Sequence, residues 1–222
     1  MTARLLLVRH GESEWNAASR LQGHGGTGLS ALGKEEAAAT ATHLVRSASA
    51  ARLLVRSDLP RVVETAAPTE AALDVEIRVD ERLREIDVGS WSGLTWDEVA
   101  AADPATLVAW QAGQDVRRGG GETFAELRSR VWSALRDLAE VDGPVLVFTH
   151  GGPIRVGVAA ALELPPLGER ALAPVANCSI SELVLHGDVA VLAAYNRSDH
   201  VDGLRGARLT LLGGGEDRLP SG

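Results

Sequence analysis

The sequence predicts an α/β protein: a three-layer sandwich with a mainly parallel central sheet, an antiparallel edge, helices on both faces and a small helical cap. Three observations carry this. The apolar runs at 5–8 and 145–149 are too short for helices and contain β-branched residues. They empty into Arg9-His10-Gly11 and His150-Gly151-Gly152, so each reads as a buried strand ending in a loop. Helical patterns separate most strand-like runs, the arrangement of parallel βαβ units. Late in the chain, His186-Gly187-Asp188 lies between runs at 180–185 and 189–195, a hairpin signal for the antiparallel edge.

The elements follow in order. After the first strand, residues 11–28 are polar and glycine-rich and read as a loop. Ser30 then caps a helix reaching about residues 43–46, with Leu32, Ala39, Leu44 and Val45 available for its inner face. Leu53-Leu54-Val55 is a short strand, and Ser57-Asp58-Leu59-Pro60 starts a helix with proline in its first turn. Residues 75–79 alternate Val75, Ile77 and Val79 with charges, as a half-exposed strand would, ahead of the loop holding Glu85. Thr95-x-x-Glu98 and Thr123-x-x-Glu126 are capping boxes, and Asp103-Pro104 opens a short helix between them. The third of these helices places Phe124, Leu127, Val131, Leu135 and Leu138 on one face. Pro153 opens another helix after the second histidine strand. The expected organisation is a single domain over 1–212, a cap at about 91–120 and a disordered tail at 213–222.

Composition bounds the function. The 222 residues, 45% of them hydrophobic, suffice for a sizeable core, and the formal net charge of -8 argues against nucleic acid, whose backbone is bound by basic surface. Anion recognition would therefore be local. The one cysteine, Cys178, excludes an internal disulfide and multi-cysteine metal sites and favours a reducing compartment. The opening apolar run is short for a signal peptide and no stretch approaches a membrane span, so a cytoplasmic location without membrane association is expected.

His10 stands between an arginine, whose planar fork matches phosphate oxygens, and a glycine that admits close backbone approach. A histidine there can attack phosphorus. His150 precedes Gly151-Gly152-Pro153, where a helix amino end adds positive dipole to an anion site. In open α/β sheets ligands bind at the carboxyl ends of strands, where both histidines fall. Arg61, one turn into its helix, reads on position alone as a solvated arginine. Glu85 has apolar neighbours Leu83 and Ile86 that suit a general acid, but Asp80, Glu81 and Asp87 are equally acidic and spacing does not choose among them. The run Gly23-His24-Gly25-Gly26-Thr27-Gly28 has P-loop spacing, yet Leu29 replaces the lysine and no strand leads into it, so it is a flexible loop. No histidine spacing fits a metal run, and neither metal nor cofactor is expected.

The ordered motifs resemble the histidine phosphatase superfamily, which includes the cofactor-dependent phosphoglycerate mutases. They are Arg9-His10-Gly11-Glu12-Ser13-Glu14-Trp15-Asn16, Gln22-Gly23, Leu29-Ser30 with Gly33, Ser57-Asp58-Leu59-x-Arg61 with Thr65-Ala66, Leu83-x-Glu85 with Gly89-x-Trp91-x-Gly93, Gly120-Gly121-Glu122-Thr123, and His150-Gly151-Gly152-x-Ile154-Arg155. The resemblance implies that His10 becomes phosphohistidine, that Arg9, Arg61 and His150 bind the phosphoryl group, and that Glu85 is proton donor and then base. It also implies that Asn16, Gln22, Gly23 and Gly151 join the substrate-binding set. His10 would act unprotonated at its attacking nitrogen and His150 protonated. Members often have an acidic residue and a proline where this chain has Gly26-Thr27-Gly28.

Mutases usually follow the catalytic glutamate with Arg-His-Tyr-Gly and carry a longer insertion before the second histidine. Here Glu85 is followed by Ile86-Asp87-Val88-Gly89 and the insertion is short. A small cap would leave the pocket open to water, so the expected activity is metal-independent hydrolysis of a small phosphorylated metabolite. A phosphoglycerate mutase and a noncatalytic phospho-ligand binding module are the competing readings. Trp96, Trp110, Arg117 and Arg118 are candidates for a specificity surface, and the late hairpin offers an edge for a homodimer.

Overall fold

The computed structural model describes residues 2–187 and 189–204. Asp188 of the expected hairpin turn and the tail expected at 213–222 lie outside the described residues. The chain runs through β1 (Thr2–Arg9), α1 (Glu14–Ala17), α2 (Ala31–Ser47), β2 (Leu53–Arg56), α3 (Pro60–Ala72) and β3 (Glu76–Val79). It continues through α4 (Trp96–Ala102), α5 (Pro104–Gln111), α6 (Phe124–Asp137), β4 (Gly143–Thr149), α7 (Gly151–Ala161), β5 (Ile180–His186) and β6 (Val189–Arg197). Single 3₁₀ turns link several of them.

The six strands form one sheet in the order β3-β2-β4-β1-β5-β6. The first four are mutually parallel, and β5 runs antiparallel to both β1 and β6. The expected parallel sheet with an antiparallel edge is what forms. Both faces of the central strands are covered, which is why their sequences are continuous apolar runs. Leu5, Leu7, Val145 and Val147 share one core with Leu127, Val131 and Leu135 of α6 and Ile154 of α7. Leu6, Val8, Leu146 and Phe148 share the other with Leu44 of α2 and Val62 and Ala66 of α3. Each fully buried side chain of this kind stabilises the fold by about 1.5–3 kcal/mol.

Three local expectations change. The buried face of α2 is Gly33, Glu36, Ala37, Thr40, Ala41 and Leu44, rather than one centred on Leu32, Ala39 and Val45. Small residues win there because the helix comes against backbone: a Cβ at Gly33 would lie 2.0 Å from the Glu12 carbonyl oxygen. Helix α7 starts at Gly151, ahead of Pro153, with His150 itself at the N-cap. The stretch 11–28 contains the one-turn helix α1, opened by a capping box between Ser13 and Asn16. At the far edge, every residue of β3 is exposed, since β2 flanks it on one side only.

The segment expected to form the cap holds α4 and α5, opened by the Thr95 capping box and the Asp103 side chain. Trp91 anchors it, fully buried, its indole N–H donating to Asp103 Oδ2 at 3.0 Å. Among the described residues, no helix is long and apolar enough to cross a membrane.

Candidate active site

Strand pairing brings the two histidines together. Strands β1 and β4 are adjacent and parallel with Arg9 opposite Thr149, so the next residue of each, His10 and His150, emerges at the same sheet edge. Their rings meet edge to face with centroids 5.2 Å apart. The backbone N–H of His10 donates to the Thr149 carbonyl at 3.0 Å, which fixes the loop's departure from the strand.

His10 Nδ1 is 2.8 Å from the Gly11 carbonyl oxygen. A carbonyl only accepts, so Nδ1 carries the proton and Nε2 keeps its lone pair. That Nε2 is buried and has no hydrogen-bond partner among the described residues. His150 Nε2 lies 3.0 Å from Ser57 Oγ, at the carboxyl end of β2, while His150 Nδ1 is buried without a partner among the described residues. Three neighbouring strand ends, β2, β4 and β1, thus converge on one point.

Two arginines supply the charge. Arg61, in the first turn of α3, is completely buried, and its guanidinium donates to the carbonyls of Gly23 at 2.7 Å and Gly25 at 2.8 Å. Its position after a strand suggested a solvated side chain; burial under the 22–28 loop overrules that reading. Arg9 is equally buried and donates to the Val175 carbonyl. Burial, followed by the charges of Arg61 and Arg9, holds His10 well below the usual histidine range. Burial lowers His150 in the same way, followed by Arg61, then His10 and Arg9. Both shifts favour the neutral form of the ring, His150 included, whose expected role calls for a proton.

Glu85 is nearly fully buried, with Oε1 accepting from the Ile86 N–H at 2.8 Å and Oε2 from the Gly152 N–H at 3.2 Å in the first turn of α7. Glycine is required at that contact, because a Cβ at 152 would stand 2.2 Å from Glu85 Oε1. The Glu85 carbonyl is held by Arg130 Nη2 at 2.8 Å and by His24 Nε2 at 2.9 Å. Asp80 caps a 3₁₀ turn with Arg82, Asp87 accepts from the Gly89 N–H, and Glu81 pairs with Arg84, so the other nearby acids have separate tasks.

The remaining expected residues sit around the histidines. Asn16 Oδ1 accepts from the Ser13 N–H at 3.2 Å and from Asn177 at 3.4 Å, and its Nδ2 is buried without a partner among the described residues. Gln22 Oε1 accepts from Ser13 Oγ at 2.8 Å. Gly23 presents its carbonyl to Arg61, and Gly151 is buried in the first turn of α7.

Four contributors were not singled out from the residues. Ser57 touches His150, Thr65 Oγ1 accepts from the Gly11 N–H at 3.0 Å, Asn177 donates to the His10 carbonyl at 3.0 Å, and Arg130 clamps Glu85. Ser57 and Thr65 fall inside quoted motifs, the one sequence signal that pointed to them; Asn177 and Arg130 act through contacts more than 40 residues away.

A cavity of about 530 Å³ adjoins Glu85 and Gly152 and is walled by Trp110, Arg118, Phe124 and Arg155 among others. The four specificity candidates separate here. Trp110 and Arg118 border the cavity, with the Arg118 guanidinium 5.0 Å from the Phe124 ring centre and 5.9 Å from that of Trp110. Trp96 backs Trp110, stacked on it at 5.0 Å. Arg117 turns outward into an exposed ion pair with Glu126. The histidine–arginine cluster itself is enclosed, since His10, His150, Arg9 and Arg61 have no solvent exposure, where a small cap suggested an open pocket.

A profile described as the histidine phosphatase superfamily (branch 1) matches residues 5–198. The glucosyl-3-phosphoglycerate phosphatase of Mycolicibacterium vanbaalenii is 36% identical over 192 residues, covering 82% of this chain and 84% of that protein. The probable phosphoglycerate mutase GpmB of Salmonella choleraesuis is 36% identical over 184 residues, covering 81% and 84%. The solved mycobacterial glucosyl-3-phosphoglycerate phosphatase Rv2419c, in complex with VO3, superimposes with a TM-score of 0.79 at 34% identity, covering 87% of this chain and 98% of that one.

Proposed function

The chain belongs to the histidine phosphatase superfamily, and from that premise we propose that it hydrolyses a small phosphorylated metabolite through a phosphohistidine on His10. The observation that carries this is the hydrogen bonding of His10: with Nδ1–H tied to the Gly11 carbonyl, Nε2 keeps its lone pair and is buried without a partner among the described residues, under the influence of the Arg61 and Arg9 charges.

In the first step Nε2 attacks phosphorus, forming the N–P bond as the P–O bond to the leaving group breaks. Glu85, entering as the acid, gives its proton to the departing oxygen. In the second step the Glu85 carboxylate takes a proton from water, whose oxygen displaces His10 and releases inorganic phosphate. Arg9, Arg61, His150 and Asn16 Nδ2 donate to the phosphoryl oxygens throughout. To do so Arg61 exchanges the Gly23 and Gly25 carbonyls for phosphate oxygens, a stronger charge-assisted pairing. Phosphate also supplies the negative charge that allows His150 to take up a proton. Preorganised donors in a dry pocket stabilise the transferring charge without solvent reorganisation.

The test is phosphate release from a panel of phosphomonoesters, including 3-phosphoglycerate and glucosyl-3-phosphoglycerate, with chelator in excess. The native protein is expected to turn over and His10→Ala to lose at least about 10³-fold. Isomerisation of 3-phosphoglycerate without phosphate release would favour the mutase, and no turnover of any ester would favour a binding module.

A further inference from the structure

The cavity beside Glu85 contains a polar group that the catalytic steps leave unused. Glu169, on the 3₁₀ turn Gly168–Ala171, borders this cavity at 1% exposure, and its Oε1 has no hydrogen-bond partner among the described residues. Its backbone is pinned, because Arg155 Nη2 donates to the Glu169 carbonyl at 2.9 Å. Buried carboxylate oxygens are normally paired, and one left unpaired at the wall of a ligand cavity marks a place for a donor that arrives with the ligand.

Resting on the hydrolase reading above, we propose that Glu169 is a specificity-determining residue that accepts a hydrogen bond from a hydroxyl of the leaving group, so that the enzyme selects hydroxylated phosphomonoesters. The alternative donor, an ammonium group, is disfavoured by the setting: Arg118, Arg155 and Arg170 border the same cavity. A neutral hydroxyl meets no such repulsion. Trp110 and Phe124 add apolar wall for the carbon skeleton of a polyol or sugar ring, while the Glu169 side chain takes its O–H. Glu169 and Phe124 also form part of the wall of a second cavity of about 490 Å³, so the residue borders both cavities. A site that discriminates through a buried polar group rejects the analogue lacking the matching hydroxyl, because the group is then left unpaired.

The decisive comparison uses two esters of the same ring size, glucose 6-phosphate and cyclohexylmethyl phosphate, with the native enzyme and with Glu169→Gln and Glu169→Leu. Native enzyme is expected to prefer the hydroxylated ester. The ratio of kcat/KM between the two esters should fall by about tenfold in Glu169→Leu, mainly through KM, and by less in the isosteric Glu169→Gln. An equal loss on both esters would make the residue a structural support and overturn the proposal. So would an unchanged ratio, or a native enzyme that hydrolyses only the cyclohexyl ester. If native enzyme cleaves p-nitrophenyl phosphate but neither ring ester, this proposal falls while the hydrolase reading stands; if it cleaves none of the three, both fall.

Discussion

The two halves of the proposed site, a phosphate end and a leaving-group end, are built on different principles. At the phosphate end, His10, His150 and Ser57 leave three adjacent strand ends of one sheet, and their spacing is set by interstrand hydrogen bonds. At the leaving-group end, Trp110, Arg118 and Phe124 come from one short stretch of helices and turns, Glu169 joins them from a turn much later in the chain, and the group is held by side-chain packing. The first is dry and cationic, the second broad and largely apolar with arginines at its margin. The contrast teaches that, in the proposed mechanism, the chemical step would rest on the sheet-built part of the fold and substrate choice on the part that can vary without disturbing the sheet.

That comparison can be broken most directly at Glu85. Replacing its acid by an amide in Glu85→Gln keeps the shape but removes the proposed proton donor, and kcat is expected to fall by about 10²–10⁴-fold. The loss should be largest for esters with basic leaving groups and smallest for p-nitrophenyl phosphate; a uniform loss across leaving groups would show that Glu85 positions rather than protonates.

A smaller effect is expected at the other end. Arg118→Leu should raise KM by about tenfold for esters that fill the cavity, the equivalent of about 1.4 kcal/mol, while leaving the phosphoenzyme chemistry in place. Its neighbour is the control: Arg117→Ala removes an exposed ion pair and should change kinetics by less than about twofold. Equal effects from the two substitutions would erase the distinction between cavity wall and outer surface.

Smallest is the pH dependence of stability. His10 and His150 have folded-state values depressed below the usual 6.5, so as pH falls through 6.5 the unfolded chain binds protons that the folded chain refuses. Stability contributed by these rings is therefore full above that pH and is lost progressively below it, towards their folded values. Melting temperature should drop by roughly a few degrees between pH 7 and 5.5. Inorganic phosphate should reduce the drop, and His150→Gln should flatten it. A melting temperature that rises over the same interval would mean that the rings are charged in the folded protein.

Much of the phosphate end was legible along the chain. An apolar run followed by His-Gly, found twice, announced two strand ends at a binding edge, and the ordered motifs singled out Arg61 and Glu85 where position alone could not. The apparent solvation of Arg61 illustrates the limit. Its helix phase says nothing about the Gly23–Gly25 carbonyls that fold over it from a loop 36 residues away. The inner face of α2 was misphased for a related reason, because the decisive factor was closeness to the Glu12 backbone rather than hydrophobicity.

By itself the sequence determined the sheet with its covered faces, the capped helices and the pair of catalysis-capable histidines, since periodicity, capping and turn chemistry act between neighbours in the chain. Only the tertiary structure decided that α7 begins at Gly151 with His150 as its N-cap, that both histidines are buried among arginines, and which of Trp96, Trp110, Arg117 and Arg118 border the cavity. Those outcomes depend on burial and on side chains meeting from distant segments, and electrostatics and packing are set by distance in space.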